Sequence, residues 1–326
     1  MDWDAVDWTA LERLRQGFLS GMAGRHDYWH AEGDLEAYDQ TFGRRIAWKW
    51  DHVLADLSRL GWQPSAGEVL DWGCGSGVAG RAFLRHFGPA VASVLRLHDA
   101  SRRAVRFAEK RVREEFPGLK VECVMPGGGP ATGLWLISHV ITELTRAEID
   151  ALVLGLAQAT AVIWVEPGTF DASRALIAVR ERLVSQFRVV APCTHQAMCG
   201  MLAAGNERHW CHHFAASPPE VFMDGNWARF GRLAGIDLRS LPLSYLVLDR
   251  RGAPALPAGA VRIIGRPRVQ KAWAMIFGCD AAGIRERRLM KRRLPEEFRA
   301  IKREDFDTLQ AWECDGVDVV RVRPAR

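Results

Sequence analysis

Apolar positions along this chain change their period more than once, and each change predicts a different kind of structure. Thr9 with Glu12 three residues on reads as a helix cap, and Leu11, Leu14, Phe18 and Met22 then repeat at helical spacing. The run "IAWKWDHVLADLSRL" at 46–60 keeps that spacing, so residues 1–62 are expected to form a helical segment. From Glu68, short apolar runs such as "EVLDW", "SVLRLHD", "LKVECVM" and "TAVIWVEPG" alternate with amphipathic stretches such as "GRAFLRHF" and "SRRAVRFAEKRVREEF". Strand alternating with helix over 63–190 predicts an α/β domain whose parallel sheet is covered on both faces. After Arg188 the periodicity fades into "VVAPCTHQAMCGMLAAGNERHWCHHFAASPP", which marks 191–240 as a loop-like insert rich in Cys and His. From about Leu241, "SYLVLDR", "VRIIGR", "AWAMIFGC" and "IRERRLMKRR" read as short strands with basic edges, a small β-rich module over 241–326.

Composition changes this picture in three places. With 326 residues, 48% apolar and 25% charged, the chain is an ordinary globular protein with room for one large core and an appended module. The net charge of +5 is unevenly spread: twelve Arg or Lys face three acids between Asp249 and Arg293, so the basic character belongs to one region. Asp2, Asp4 and Asp7 precede any Arg or Lys, and no apolar stretch approaches the roughly 18 residues of a membrane span, so a cytoplasmic monomer is expected. Seven cysteines without a leader argue for buried, reactive or metal-bound thiols over a disulfide scaffold.

The stretch "DWGCGSGVAGRAFLRHF" at 71–87 carries the first candidate chemistry. Asp71, Gly73, Gly75 and Gly77 follow an apolar strand and precede a helix, a place where glycines let backbone approach a ligand. Gly75, Gly77 and Gly80 also satisfy the dinucleotide pattern G-x-G-x-x-G, so the expression alone decides nothing. An acid just before the first glycine is awkward beside a pyrophosphate but suits a cation, and S-adenosylmethionine carries an ammonium and a sulfonium. The stretch resembles motif I of class I methyltransferases. That resemblance implies a Rossmann-like S-adenosylmethionine fold with Asp71, Gly73, Cys74, Gly75, Gly77, Asp99 and Ser138 around the cofactor. Asp99, ending "VLRLHD", would accept both ribose hydroxyls, whereas the adenine-contacting acid or amide of many such enzymes has only "VECVMPGGGP" at its place.

No catalytic group stands out. Where base-directed enzymes grip a flipped nucleobase, this chain reads "LISHVITEL", with Ser138, His139 and Glu143 as the polar candidates. Cys193 in "PC" offers a nucleophile for carbon methylation, but it lies beyond the fifth strand. Glu166 and Pro167 are expected to line the crevice mouth.

Cys193, Cys199, Cys211 and Cys279 follow neither the zinc-ribbon nor the ferredoxin spacing, and on spacing alone they fit a metal site or scattered burial equally. The words around them, "WVEPGT", "APCTHQAMC", "HWCHHF", "SYLVL" and "RIIGRPRVQKAWAMIFGC", together resemble the small-ribosomal-subunit methyltransferase-like family, known from mitochondria and bacteria, over about Ala37–Arg293. The resemblance implies a methyltransferase domain with a cysteine cluster and a basic carboxy-terminal part, acting on rRNA during small-subunit assembly. It also implies that these four cysteines hold a [4Fe–4S] cluster, with zinc as the alternative. His195, His209, His212 and His213 are expected to donate to sulfur or phosphate, with His212 the substitute should one cysteine prove remote.

Arg262, Arg266, Arg268 and Lys271 alternate with Ile263, Ile264, Val269 and Trp273, a mixture that suits tracking rRNA phosphates. Two functions therefore stand: an rRNA methyltransferase, or a non-catalytic assembly factor that keeps the methyltransferase fold.

Overall fold

The computed structural model describes residues 3–19, 29–124 and 132–325. Met22 and the run Met125–Pro130, on which two of the expectations above fall, lie outside them. Helix α1 (Trp8–Leu19) opens the chain and buries Ala10, Leu11 and Leu14 on one face. Its first turn is capped by Asp7, whose carboxylate accepts the Ala10 N–H, so the cap lies two residues before Thr9. Helix α2 (Glu32–Tyr38) runs through a π-helical turn at Asp39–Gly43 into α3 (Arg44–Arg59).

The α/β part then alternates β1 (Gly67–Trp72), α4 (Val78–Phe87), β2 (Ala92–His98), α5 (Arg102–Glu115), β3 (Val121–Val124) and β4 (Leu134–Ser138). It continues with α6 (Arg146–Leu156), β5 (Ala161–Pro167), α7 (Phe170–Leu183) and β6 (Arg188–Ala191). Strands β3-β2-β1-β4-β5 lie side by side and parallel. The inner strands β4 and β5 are apolar on both faces: Leu134, Leu136, Ile163 and Val165 enter the core under α3 and α4, while Trp135, Ile137, Val162 and Trp164 enter the one under α6 and α7. No helix among the described residues is long and apolar enough to cross a membrane.

The segment 191–240 holds more regular structure than a loop. It contains β7 (His213–Ala215), α8 (Glu220–Met223) and α9 (Gly225–Ala234), and α9 sends Trp227 and Phe230 into the amino-terminal core. The boundary expected at 241 also shifts. Strand β8 (Leu241–Asp249) inserts antiparallel between β5 and β6 and completes the sheet. Its near-unbroken burial, from Leu243 to Asp249, is that of a central strand. The separate carboxy-terminal unit begins with β9 (Ala260–Val269) and continues with β10 (Trp273–Asp280), β11 (Gly283–Met290), α10 (Pro295–Lys302), β12 (Leu309–Asp315) and β13 (Asp318–Pro324). Its five strands close into a barrel around Val261, Ile263, Ala274, Ile276, Leu289, Trp312 and Val319.

Candidate functional site

At the carboxyl end of β1 the chain reverses through Gly73, Gly75 and Gly77, all in the left-handed region at φ 69°, 50° and 77°. Only glycine enters that region without strain. The Gly73 and Cys74 N–H groups both donate to the His98 carbonyl, which ties the turn to β2. A β-carbon on Gly73 would meet Val140 Cγ1 at 2.6 Å, and one on Gly77 would meet Ala108 Cβ at 3.0 Å. Nothing lies within 4 Å of the same position on Gly75, so the turn is packed on two glycines and open at the middle one.

Asp99 stands beside that opening. Its Oδ2 accepts the Gly75 N–H at 2.9 Å and its Oδ1 the Ser101 N–H at 2.9 Å, and Ser101 in turn caps α5. Asp71 is placed differently from the expected cation partner. It is wholly buried beneath the turn, where Oδ2 accepts the Gly80 N–H at 2.8 Å. Burial pushes its pKa up to about 7, against the pull of the Gly80 N–H and with help from the Asp99 charge. Asp71 is therefore a brace, and Gly80 is small because its β-carbon would sit 2.9 Å from that carboxylate. Cys74 is also buried; burial and the charges of Asp99 and Asp71 hold its thiol well above the usual range.

The end of β4 contains a group that sequence reasoning missed. Lys49, on α3, is 1% exposed, and its Nζ lies 3.2 Å from His139 Nε2. Burial holds both groups well below their usual pKa, with Lys49 and Arg45 acting on His139. His139 adopts φ 56°, unusual for a residue with a side chain. Ser138 Oγ accepts from Trp50 Nε1 at 2.9 Å and sits 3.2 Å from His139 Nδ1, so the expected cofactor hydroxyl serves to dock α3 on the strand end. Lys49 and Trp50 sit among the helically spaced apolar residues of α3, where an amine has no sequence signature.

Glu166 does not line a mouth. It is fully buried, its Oε1 accepting from Val140 N, Ile141 N and Trp164 Nε1, and burial raises it to about 7. Glu143 is pushed up to about 8 by burial and by Asp99 and Glu166. The strand ends thus gather carboxyl groups close enough to oppose one another's ionisation, an environment that favours a cation.

Cys193 packs against the core under α6 and α7. Cys199 and Cys279 share an apolar cluster with Ile177, Met201 and Ile264, and Cys211 packs against it. Burial raises the thiols of Cys199, Cys211 and Cys279, and the charge of Cys193 raises all three further. His195 Nε2 lies 3.7 Å from Cys279 Sγ and His213 Nε2 3.7 Å from Cys211 Sγ. His212 stacks on Trp210 with ring centroids 4.7 Å apart, and His209 packs on Phe277. All seven cysteines are free thiols. Among the described residues no three His, Cys, Asp or Glu side chains stand in the arrangement of a metal site.

One of the four expected RNA contacts is misplaced. Arg262 is buried: its guanidinium donates to both Asp56 oxygens at 3.3 and 3.1 Å, to Thr308 Oγ1 at 3.1 Å and to the Pro192 carbonyl at 3.0 Å. Every donor faces protein. Arg266 pairs with Glu304 at 3.6 Å and covers the Phe214 ring, Arg268 pairs with Glu286, and Lys271 is exposed.

The sheet order, its one reversed strand between β5 and β6, the glycine turn and the acid ending β2 together define a class I S-adenosylmethionine methyltransferase fold. The chain belongs to the family described as mitochondrial small ribosomal subunit Rsm22, which matches residues 62–309. Similar solved structures include a putative RNA methyltransferase, PH1948 from Pyrococcus horikoshii, at 13% identity and a TM-score of 0.39, covering 62% of this chain and 83% of that one. Another is magnesium protoporphyrin IX methyltransferase from Synechocystis PCC 6803 with bound SAM, at 13% identity and a TM-score of 0.38, covering 74% and 97%. No curated protein matches the chain.

Proposed function

We propose that this chain is an S-adenosylmethionine-dependent methyltransferase acting on rRNA of the small ribosomal subunit during assembly. The observation that carries the reading is the open side of Gly75 beside Asp99, in a crevice whose carboxyl groups suit an ammonium and a sulfonium. Family membership supports the small subunit as partner. When bound, the cofactor supplies an electrophilic methyl group. The chain's part is to hold ribose on Asp99, to present the backbone of Gly73, Cys74 and Gly77 to the methionine portion, and to keep an acceptor in line. Ser138 contributes by fixing α3 against β4.

Asp99→Ala is expected to weaken S-adenosylmethionine binding by about tenfold or more, since hydrogen bonds to a charged group are lost at the crevice. Titration calorimetry on the two proteins checks it, and equal affinity sinks the ribose assignment. Labelled cofactor with immature small subunits tests the reaction itself. Incorporation that disappears in Gly75→Arg, a side chain directed into open space and not into the core, supports the enzyme. Cofactor binding without incorporation supports the second reading, a non-catalytic assembly factor. That reading is favoured by Ser138 and His139, which are engaged by Trp50 and Lys49 where a base-gripping motif would stand.

Cys193, Cys199, Cys211 and Cys279 are proposed to hold a [4Fe–4S] cluster, with zinc as the alternative. Their chemistry fits such a group: burial, and the nearness of Cys193, raise the thiols of Cys199, Cys211 and Cys279, and ligation would remove those protons. Anaerobically purified protein should then contain about four irons per chain, with Cys279→Ser losing most of them and Cys314→Ser none. One tightly bound zinc replaces the cluster but keeps the site; four freely alkylated thiols in the native protein remove the site.

A further inference from the structure

The carboxy-terminal barrel has a connectivity that composition did not reveal. In chain order its strands run β9 to β13, but around the barrel they lie β9-β10-β11-β13-β12, with β12 returning to β9. The β11–β13 contact is parallel, and α10 between β11 and β12 closes one end with Phe298 and Ile301. This is the connectivity of the OB-fold, a five-stranded barrel whose second and third strands, with the loops after the first and fourth, form a face for oligonucleotides.

Side-chain alternation locates that face here. Ala274, Ile276 and Leu289 point into the barrel core, so Trp273, Met275 and Phe277 and their cross-strand partners Met290, Arg288 and Glu286 point outward. The cysteine-rich insert divides this surface. At one end His209 packs on Phe277, and Gly200 approaches so near that a β-carbon would lie 2.8 Å from the Ile284 nitrogen. At the other end Trp273, Met275 and Met290 remain partly exposed. Val269 and Val317, 37% and 43% exposed, mark the two loops that bound it. Arg268, Lys271 and Lys291 stand exposed around its edge, and from Arg262 to Arg293 ten Arg or Lys face only Asp280 and Glu286.

We infer that this open half-face, centred on Trp273 between Lys271 and Lys291, binds unpaired RNA by stacking a base on the indole while the cations take the flanking phosphates. The inference rests on the proposed rRNA partner and specifies which form of RNA the barrel takes. An indole on a narrow two-strand surface suits a base that is free to turn outward, which a duplex withholds. Because the insert covers half of the face, the track is short, toward the lower end of the roughly 4–16 nucleotides that such barrels occupy.

The test is fluorescence anisotropy on the full chain with labelled oligouridylate of about 12 nucleotides, alone and annealed to its complement. The single strand should bind more tightly. Trp273→Ala should weaken it about tenfold and Trp273→Phe should restore most of the loss, while the duplex changes little. Lys271→Glu with Lys291→Glu, both at exposed positions, should flatten the dependence of log affinity on log salt. Equal affinity for single strand and duplex, or single-strand binding undiminished in both Trp273→Ala and the double charge variant, overturns the inference. Calorimetry of S-adenosylmethionine on the same proteins reports on the methyltransferase reading separately, so either can fail alone.

Discussion

Arg262→Leu is expected to cost the chain about 3–5 kcal/mol of stability, because it strands a buried carboxylate that no other cation replaces in both of its contacts. Asp56 is 1% exposed and takes two hydrogen bonds from the Arg262 guanidinium, one on Oδ1 from Arg59 at 3.4 Å, and the Tyr245 hydroxyl at 2.9 Å. The pair joins parts far apart in sequence: Asp56 is on α3, Tyr245 on β8, Pro192 beside Cys193, and Arg262 on β9, in register with Cys279 on the neighbouring strand β10. A surface contact to RNA would behave oppositely, with affinity falling and stability unchanged. Thermal and denaturant unfolding of Arg262→Leu separates the two. The double variant Asp56→Leu with Arg262→Leu should recover much of the loss, since a buried pair exchanged for apolar groups is often nearly neutral.

The same pair sets an acid limit. Burial alone would raise the Asp56 pKa, but Arg262, Tyr245 and Arg59 outweigh it and hold the group down at about 2. A depressed carboxylate contributes stability that is complete above its unfolded pKa near 4 and is lost as pH falls toward 2, here about 2–3 kcal/mol. Arg262→Leu should therefore flatten the stability profile between pH 4 and 2.

What the sequence disclosed and what it hid follow from the range of the forces involved. The glycine turn is legible because left-handed backbone leaves a local mark, three glycines between an apolar strand and a helix. Asp99 is legible because the next strand must end at the same crevice. The role of Asp71 is not, since whether a carboxylate faces ligand or a helix N–H depends on where Gly80 comes to lie. Arg262 looked like its neighbours in a basic, alternating strand; only the arrival of Asp56 and Thr308, from opposite ends of the chain, makes it a core residue. Strand β8 reads as part of the barrel for the same reason. Its order in sequence says nothing of its place between β5 and β6. Lys49 left no trace because its significance is entirely tertiary, set by His139 ninety residues away.

Gly73→Ala is expected to have the second large effect, and on cofactor binding as well as on stability. Two costs coincide there. At φ 69° a side chain pays the left-handed penalty of about 1–2 kcal/mol, and its β-carbon would approach Val140 Cγ1 to 2.6 Å, an overpacking worth about 1–3 kcal/mol more. Relief by movement is costly, because the Gly73 and Cys74 N–H groups are held on the His98 carbonyl and Val140 N is held on Glu166. If the turn shifts, Gly75 moves away from Asp99 and the crevice loses the alignment on which the cofactor depends. Gly75→Ala isolates the first cost, since it shares the left-handed backbone but meets nothing within 4 Å. Unfolding free energies should therefore rank Gly73→Ala well below Gly75→Ala. Adding Val140→Ala to Gly73→Ala should remove the overpacking part of the penalty and leave the backbone part. If Gly73→Ala costs the same with valine or alanine at position 140, the contact with Val140 is not what requires glycine there.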